Sequence, residues 1–253
     1  MKKIVVLIAI VLVSVACKKE VKKEITKKEE VAALKYPKVL EVVLEKHGGI
    51  EQWKKMKTLS FTLKNEEHTT DLHSRKIVVN SPEYSLGFDG REVWLQQQDS
   101  TAFKRDPKFY YNLYFYFYAM PFVLADDGII YSETEPLTFE GISYPGVKIS
   151  YKANVGTSPD DNYFIFYHPE TKQMAWLGYT VTFFSKEPTD AYKIIRYNDW
   201  ENVNGLLLPK TITWYAKNEK GQPTEPTKGP IKFAMPLLSE ASLADSFYEK
   251  PKQ

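Results

Sequence analysis

Apolar residues recur along this chain in three rhythms, and each change of rhythm marks a change of structure. Ile4 to Val15 is an unbroken apolar and small-residue run. From Pro37 to His47 the spacing is helical, with Val39, Leu40, Val43, Leu44 and His47 on one face. Gly48-Gly49 predicts the end of that helix, and a short second helical turn should follow with Ile50, Trp53 and Met56 inward.

Beyond residue 58 the rhythm alternates, as half-buried strands require. The segments are 59–63, 77–79, 84–88, 92–96, 133–139, 147–151, 162–167, 174–184, 192–202 and 206–215. Asp89-Gly90, Glu140-Gly141 and Asn204-Gly205 fall between consecutive segments, the positions and residues of tight hairpin turns. Short connections predict an antiparallel sheet, and the missing strand–helix alternation argues against a Rossmann-type or α/β-barrel enzyme.

Two stretches break the alternation. Phe109 to Leu124 is apolar or aromatic nearly all round, so it must be buried on most sides; Pro121 interrupts any helix there and Asp126-Asp127-Gly128 ends it. It is too short for a membrane span and carries five tyrosines whose hydroxyls need partners. Asn218 to Pro230 reads as an exposed loop, and Ser239 to Tyr248 as a short closing helix packed on the sheet. The fold class expected is α+β. A large curved antiparallel sheet, a half-open barrel, carries an N-terminal helix and the apolar helical segment on its concave side.

Composition places the chain. Lys2 and Lys3 precede the apolar run, and Ser14-Val15-Ala16 leads into Cys17, the sole cysteine. This layout resembles a bacterial lipoprotein signal, although Ser14 stands where a larger aliphatic is usual. The resemblance implies removal of residues 1–16 and lipid attachment at Cys17, since a run of about a dozen residues falls short of the roughly 20 needed to span a bilayer. Two or three acyl chains of the palmitate kind would hold the chain on a membrane, most simply the outer membrane, on its periplasmic or outer face. Residues 17–34 mix Lys and Glu as a solvated tether, and residues 35–253 form one domain. A net charge of +2 with no basic stripe gives no reason to expect nucleic acid. A monomer without cofactor is the simplest expectation.

Catalytic signatures are sparse. No Gly-x-Ser-x-Gly elbow, phosphate-binding glycine loop or His-Glu-x-x-His helix occurs. Of the four histidines, His68 and His73 flank Asp71, but strand alternation sends His68 to the face opposite Asp71 and His73. A metal site there would need a further ligand such as Glu66 or Asp160. A polar strand end is the simpler reading, with a metal-dependent or hydrolytic enzyme as the alternative. Ser158 to Asn162 offers calcium-type oxygens but reads as a loop. What stands out is aromatic content: 14% of residues, with strands such as Tyr163 to Tyr167 apolar on both faces. That points to an apolar cleft between sheet and aromatic segment, with Trp94, Tyr110, Tyr114, Phe117, Trp176 and Trp214 as candidate contacts for a lipid or acylated ligand. Exposed tryptophans stacking on a surface glycan are the remaining alternative.

The N-terminal helix, the long meander and the apolar filling segment together resemble the outer-membrane lipoprotein carrier and receptor proteins, the LolA/LolB-type half-barrel. His47-Gly48-Gly49-Ile50-Glu51-Gln52-Trp53, Gly87-Phe88-Asp89-Gly90, the Phe109 to Gly128 block and Tyr197-Asn198-Asp199-Trp200 are similar to an uncharacterised family of Bacteroidota lipoproteins. The similarity implies a fold and supplies no catalytic residue, because fold does not fix function.

Overall fold

The structure, a computed structural model, describes residues 36–151, 160–185 and 187–252. The leader, Cys17, the tether and Ser158-Pro159 of the calcium-type stretch lie outside the described residues. Residues from Leu34 to Gln253 form one compact unit, and it contains the buried core of the described residues. No helix among the described residues is long and apolar enough to cross a membrane.

Helix α1 (Lys38–Lys46) and α2 (Ile50–Lys55) match the helical spacing, burying Leu40, Val43, Leu44 and Trp53. Gly48 ends α1 at φ +105° with its N–H on the Glu45 carbonyl at 3.0 Å. A Cβ there would meet the Gly205 carbonyl oxygen at 2.1 Å, so only glycine lets the helix end seat on that hairpin.

A six-stranded antiparallel sheet follows in the order β14-β1-β2-β3-β4-β5. Its strands are β1 (Thr58–Leu63), β2 (Glu66–Asp71), β3 (Ile77–Asn80), β4 (Tyr84–Phe88), β5 (Val93–Gln97) and β14 (Ala234–Ser239). The second sheet runs β12-β11-β10-β9-β8-β7-β6. It comprises β6 (Ile129–Phe139), β7 (Ile142–Tyr151), β8 (Tyr163–Tyr167), β9 (Met174–Tyr179), β10 (Lys193–Val203), β11 (Leu206–Lys217) and β12 (Pro223–Pro226), with β13 (Ile231–Lys232) also on β11. Glu140-Gly141 and Asn204-Gly205 both take positive φ, as two-residue hairpin turns need.

The single expected sheet is thus two, joined by one run of chain. Residues 231–239 pair first with β11 through β13 and then with β1 through β14, and so link the first sheet to the second, which is curled as a half-barrel. Part of the 218–230 stretch expected as a loop is strand β12, which folds straight back to pair antiparallel with the preceding β11. Most of the expected closing helix is absent: Ser239 ends β14 and only Asp245–Phe247 makes a 3-10 turn.

The aromatic segment lies over the concave side as α3 (Pro107–Tyr110), α4 (Leu113–Tyr118) and a 3-10 turn at Phe122–Ala125. Asp106 caps α3 by accepting from the Lys108 and Phe109 N–H groups, with Pro107 in the first helical position. Phe115, Tyr118 and Phe122 are buried in the main core. The convex side of the second sheet has its own cluster, Leu137, Phe139, Tyr144, Phe166, Trp176 and Ile194. Alternation therefore covers both faces of β8: Ile165 inward, Phe166 outward.

Candidate functional site

Between the aromatic segment and the concave face of the second sheet lies a cavity of about 790 Å³. The sheet supplies Tyr151, Tyr163, Tyr179 and Trp214; the segment supplies Phe109, Leu113, Tyr114, Tyr116, Phe117 and Val123. So the segment both fills the half-barrel and walls a space within it. This volume and apolar lining are those of small-molecule sites.

The walls are fixed by bonds that leave ring faces toward the space. Trp214 Nε1–H donates to the Tyr179 hydroxyl at 2.8 Å, and Tyr197 Oη–H donates to the Phe117 carbonyl at 2.9 Å. The Phe117 ring centroid sits 5.2 Å from Tyr179 and 5.6 Å from Trp214. Burial pushes the Tyr179 hydroxyl up to about 12, against the Trp214 bond, and raises Tyr151 and Tyr163 as well. These phenols are neutral at physiological pH. Phe184, 66% exposed, packs on Phe109 at 4.8 Å beside the cavity.

Charges gather at the two sides of the space. On the β7–β8 side, Arg75 Nη2 pairs with Asp126 Oδ2 at 2.6 Å, and buried Asp161 accepts from the Thr182 N–H at 2.7 Å. Arg75, Asp126 and Asp127 also line a smaller space of about 400 Å³ beneath α2, so this ion pair stands between the two. On the β10–β11 side are Lys193 and Lys228, the latter with its ammonium 4.2 Å above the Trp214 ring. Where those strands end, the wall turns outward to Tyr192 and Lys217, whose ammonium lies 3.5 Å above the Tyr192 ring.

Of the six aromatic candidates, Tyr114, Phe117 and Trp214 line this cavity. Tyr110 lies behind its wall, 2% exposed, with its hydroxyl turned to Glu66 and its ring 5.7 Å from Tyr114. Trp94 and Trp176 do not line it. Trp94 faces away with Val78 and Tyr248, its Nε1–H on the Tyr248 carbonyl at 2.9 Å, and Trp176 belongs to the convex cluster. Strand alternation puts them outward. Sequence reasoning passed over Tyr151 and Tyr179, although Tyr163 and Tyr179 are directly paired across β8 and β9 and therefore share a face.

The His68–Asp71–His73 group does not converge. Asp71 Oδ1 accepts from the His73 and Ser74 N–H groups, and His73 Nε2 bonds the Lys54 carbonyl at 3.1 Å. His68 is no polar strand end: it is 1% exposed, stacked on Phe61 and paired through Nε2 to Glu66 Oε2 at 3.0 Å. Glu66 also accepts from Tyr84 and Tyr110. Burial alone would raise the Glu66 carboxyl, but the His68, Tyr84 and Tyr110 bonds outweigh it and hold it below its usual range. Among the described residues no three His, Cys, Asp or Glu side chains are grouped to hold a metal. None of the five tryptophans is exposed, so none offers an open stacking platform.

A sequence model for a family of unknown function, DUF6503, matches residues 92–225, just over half the chain. No curated protein matches. Among solved structures, the chain is similar to a LolA superfamily protein from Nitrosomonas europaea, at 9% identity and a TM-score of 0.39, over 82% of this chain and 96% of that one. It is similar to a DUF1329 family protein from Desulfovibrio piger, at 9% identity and 0.44, over 84% and 96%. It is also similar to an outer membrane lipoprotein-sorting protein domain from Vibrio parahaemolyticus, at 7% identity and 0.37, over 81% and 97%.

Proposed function

The chain belongs to the DUF6503 family of unknown function, and from its cavity we propose that it is an envelope lipoprotein, anchored through a lipidated Cys17, that binds a lipid or acylated molecule. The observation that carries this reading is the space of about 790 Å³ walled on both sides by aromatic rings. An apolar chain entering it removes ring faces from water, at about 25 cal/mol per Å² of apolar surface. Ring faces make up most of the two walls, which suits the binding of an apolar chain. The anchor supports the reading by holding the cavity close to a membrane, where acyl chains are abundant.

The chain from Leu34 onward is one compact unit that holds the core of the described residues, and it is the part to test. Native mass spectrometry should find it carrying lipid after expression in bacteria. N-phenyl-1-naphthylamine, a neutral apolar probe, should bind it at micromolar concentration. Leu113→Trp, which fills the space from α4, should weaken that binding about tenfold. An empty chain that ignores the probe would end the cavity reading. For the anchor, the intact mass of the full-length product should show loss of residues 1–16 and acyl groups on Cys17; an unprocessed or unacylated product would end that part alone.

A further inference from the structure

Charge around the cavity is unequal in a way the apolar walls do not explain. Five cationic and three anionic side chains line it, although the whole chain carries only +2. The carboxylates are engaged. Asp126 is paired with Arg75, Asp161 takes backbone and hydroxyl donors, and Asp127 also has a partner. The lysines at the opposite side are different: among the described residues, no carboxylate oxygen lies within 4 Å of the ammonium of Lys193 or Lys228.

These two ammoniums share the concave face with the aromatic wall. Lys193 is the direct cross-strand partner of Tyr179, and Trp214 pairs with Ile195, two residues along β10 from Lys193. Cross-strand partners point to the same face. Lys228 follows Thr227, whose N–H donates to the Trp214 carbonyl at 2.9 Å, and this brings its ammonium over the Trp214 ring. Tyr179 bonds Trp214 and so fixes the platform between the two lysines.

Resting on the cavity reading above, we propose that the ligand is an acyl chain ending in an anionic group, with the chain among Tyr114, Phe117 and Tyr179 and the anion at Lys193 and Lys228. The engaged carboxylates on the β7–β8 side repel an anion, whereas the two lysines can each give it a charge-assisted hydrogen bond. The apolar wall supplies affinity and the lysines orient the ligand in the cavity. A free fatty acid, through its carboxylate, and a phospholipid of net negative charge share this chemistry.

Trp214 is the only tryptophan on the lining, so brominated chains report binding by quenching it. The chain from Leu34 should bind 9,10-dibromostearate about tenfold more tightly than its methyl ester at low salt, and the gap should shrink as salt screens the lysines. In the Lys193→Gln, Lys228→Gln double variant the acid should fall to the level of the ester. In the Lys193→Arg, Lys228→Arg variant the preference should return. Displacement of dibromostearate by phosphatidylglycerol but not phosphatidylcholine would name a phospholipid of net negative charge, and displacement by neither would name a free carboxylate; both support the proposal. Equal binding of acid and ester, or equal displacement by both phospholipids, would overturn it and leave the cavity reading standing. A preference that survives the Gln variant would overturn the lysine assignment. If neither acid nor ester binds, both readings fail together.

Discussion

His47 shows how one side chain can hold two elements together and make stability depend on pH. Its Nδ1–H points to the Leu207 carbonyl at 3.3 Å, its Nε2 accepts the Met174 N–H at 3.1 Å, and its own carbonyl accepts the Leu207 N–H. The ring thus ties the end of α1 to both β9 and β11 in its neutral form. Burial lowers its pKa to about 4, against a smaller opposing effect of the Leu207 bond. The unfolded chain takes up a proton below about 6.5, whereas the native ring resists one until about 4. The contribution is therefore complete above 6.5, declines as the pH falls, and levels off below about 4. Between pH 7 and pH 5 the loss should be on the order of 2 kcal/mol. Urea unfolding at the two pH values should show it, and His47→Asn should flatten the difference while lowering stability at both. Equal wild-type midpoints at pH 7 and pH 5 would show that the native ring is freely protonated.

At the scale of elements, the cavity's inner wall depends on a polar knot in a strand that reads as exposed. β2 carries Glu66, His68, Thr69 and Thr70 in buried positions because it lies between β1 and β3, with the aromatic segment across its face. Glu66 ties α3 to the sheet through Tyr110, and His68 meets Tyr114 edge-on at 6.0 Å. Glu66→Ala should cost about 3 kcal/mol, since it strands a buried hydroxyl, a half-buried one and a buried imidazole nitrogen together. Tyr110→Phe removes one donor and should cost about 1 kcal/mol. Thermal unfolding of both variants checks the order, and equal shifts would mean that the carboxylate does not hold the knot. Polar letters in alternation could not reveal this burial, because alternation separates the two faces of a strand and does not say what covers either. The hairpins at Asp89-Gly90, Glu140-Gly141 and Asn204-Gly205 were legible for the opposite reason: their turns are dictated by the residues within them.

The same limit operates over the whole molecule. Aromatic content announced a cleft, yet Trp94 and Trp176 look no different in sequence from Trp214, and only curvature decides which face of a sheet is concave. Residues 231–239 pair on β11 and then on β1, strands about 150 residues apart in sequence, and so link the two sheets. Such a segment has no local signature, and Pro236 inside it argues against a strand. Phe233 marks its middle, 5% exposed, 4.6 Å from the Tyr118 ring and 5.4 Å from Phe61. A chain ending at Pro230 loses Phe233 and Leu238 from the core and leaves the edges of β1 and β11 partly unpaired at the point where the half-barrel closes. Burial lost from those two side chains alone costs several kcal/mol, each within the roughly 2–5 kcal/mol of a large core truncation. That approaches the whole stability of an ordinary domain. The truncated chain should therefore lose its near-ultraviolet circular dichroism and its cooperative melting. A chain ending at Ser239 keeps both pairings and gives up the cover that Tyr248 places over Trp94. It should melt cooperatively at a lower midpoint. If the two truncations melt alike, the seam does not close the barrel, and the cavity wall must be held by the aromatic segment instead.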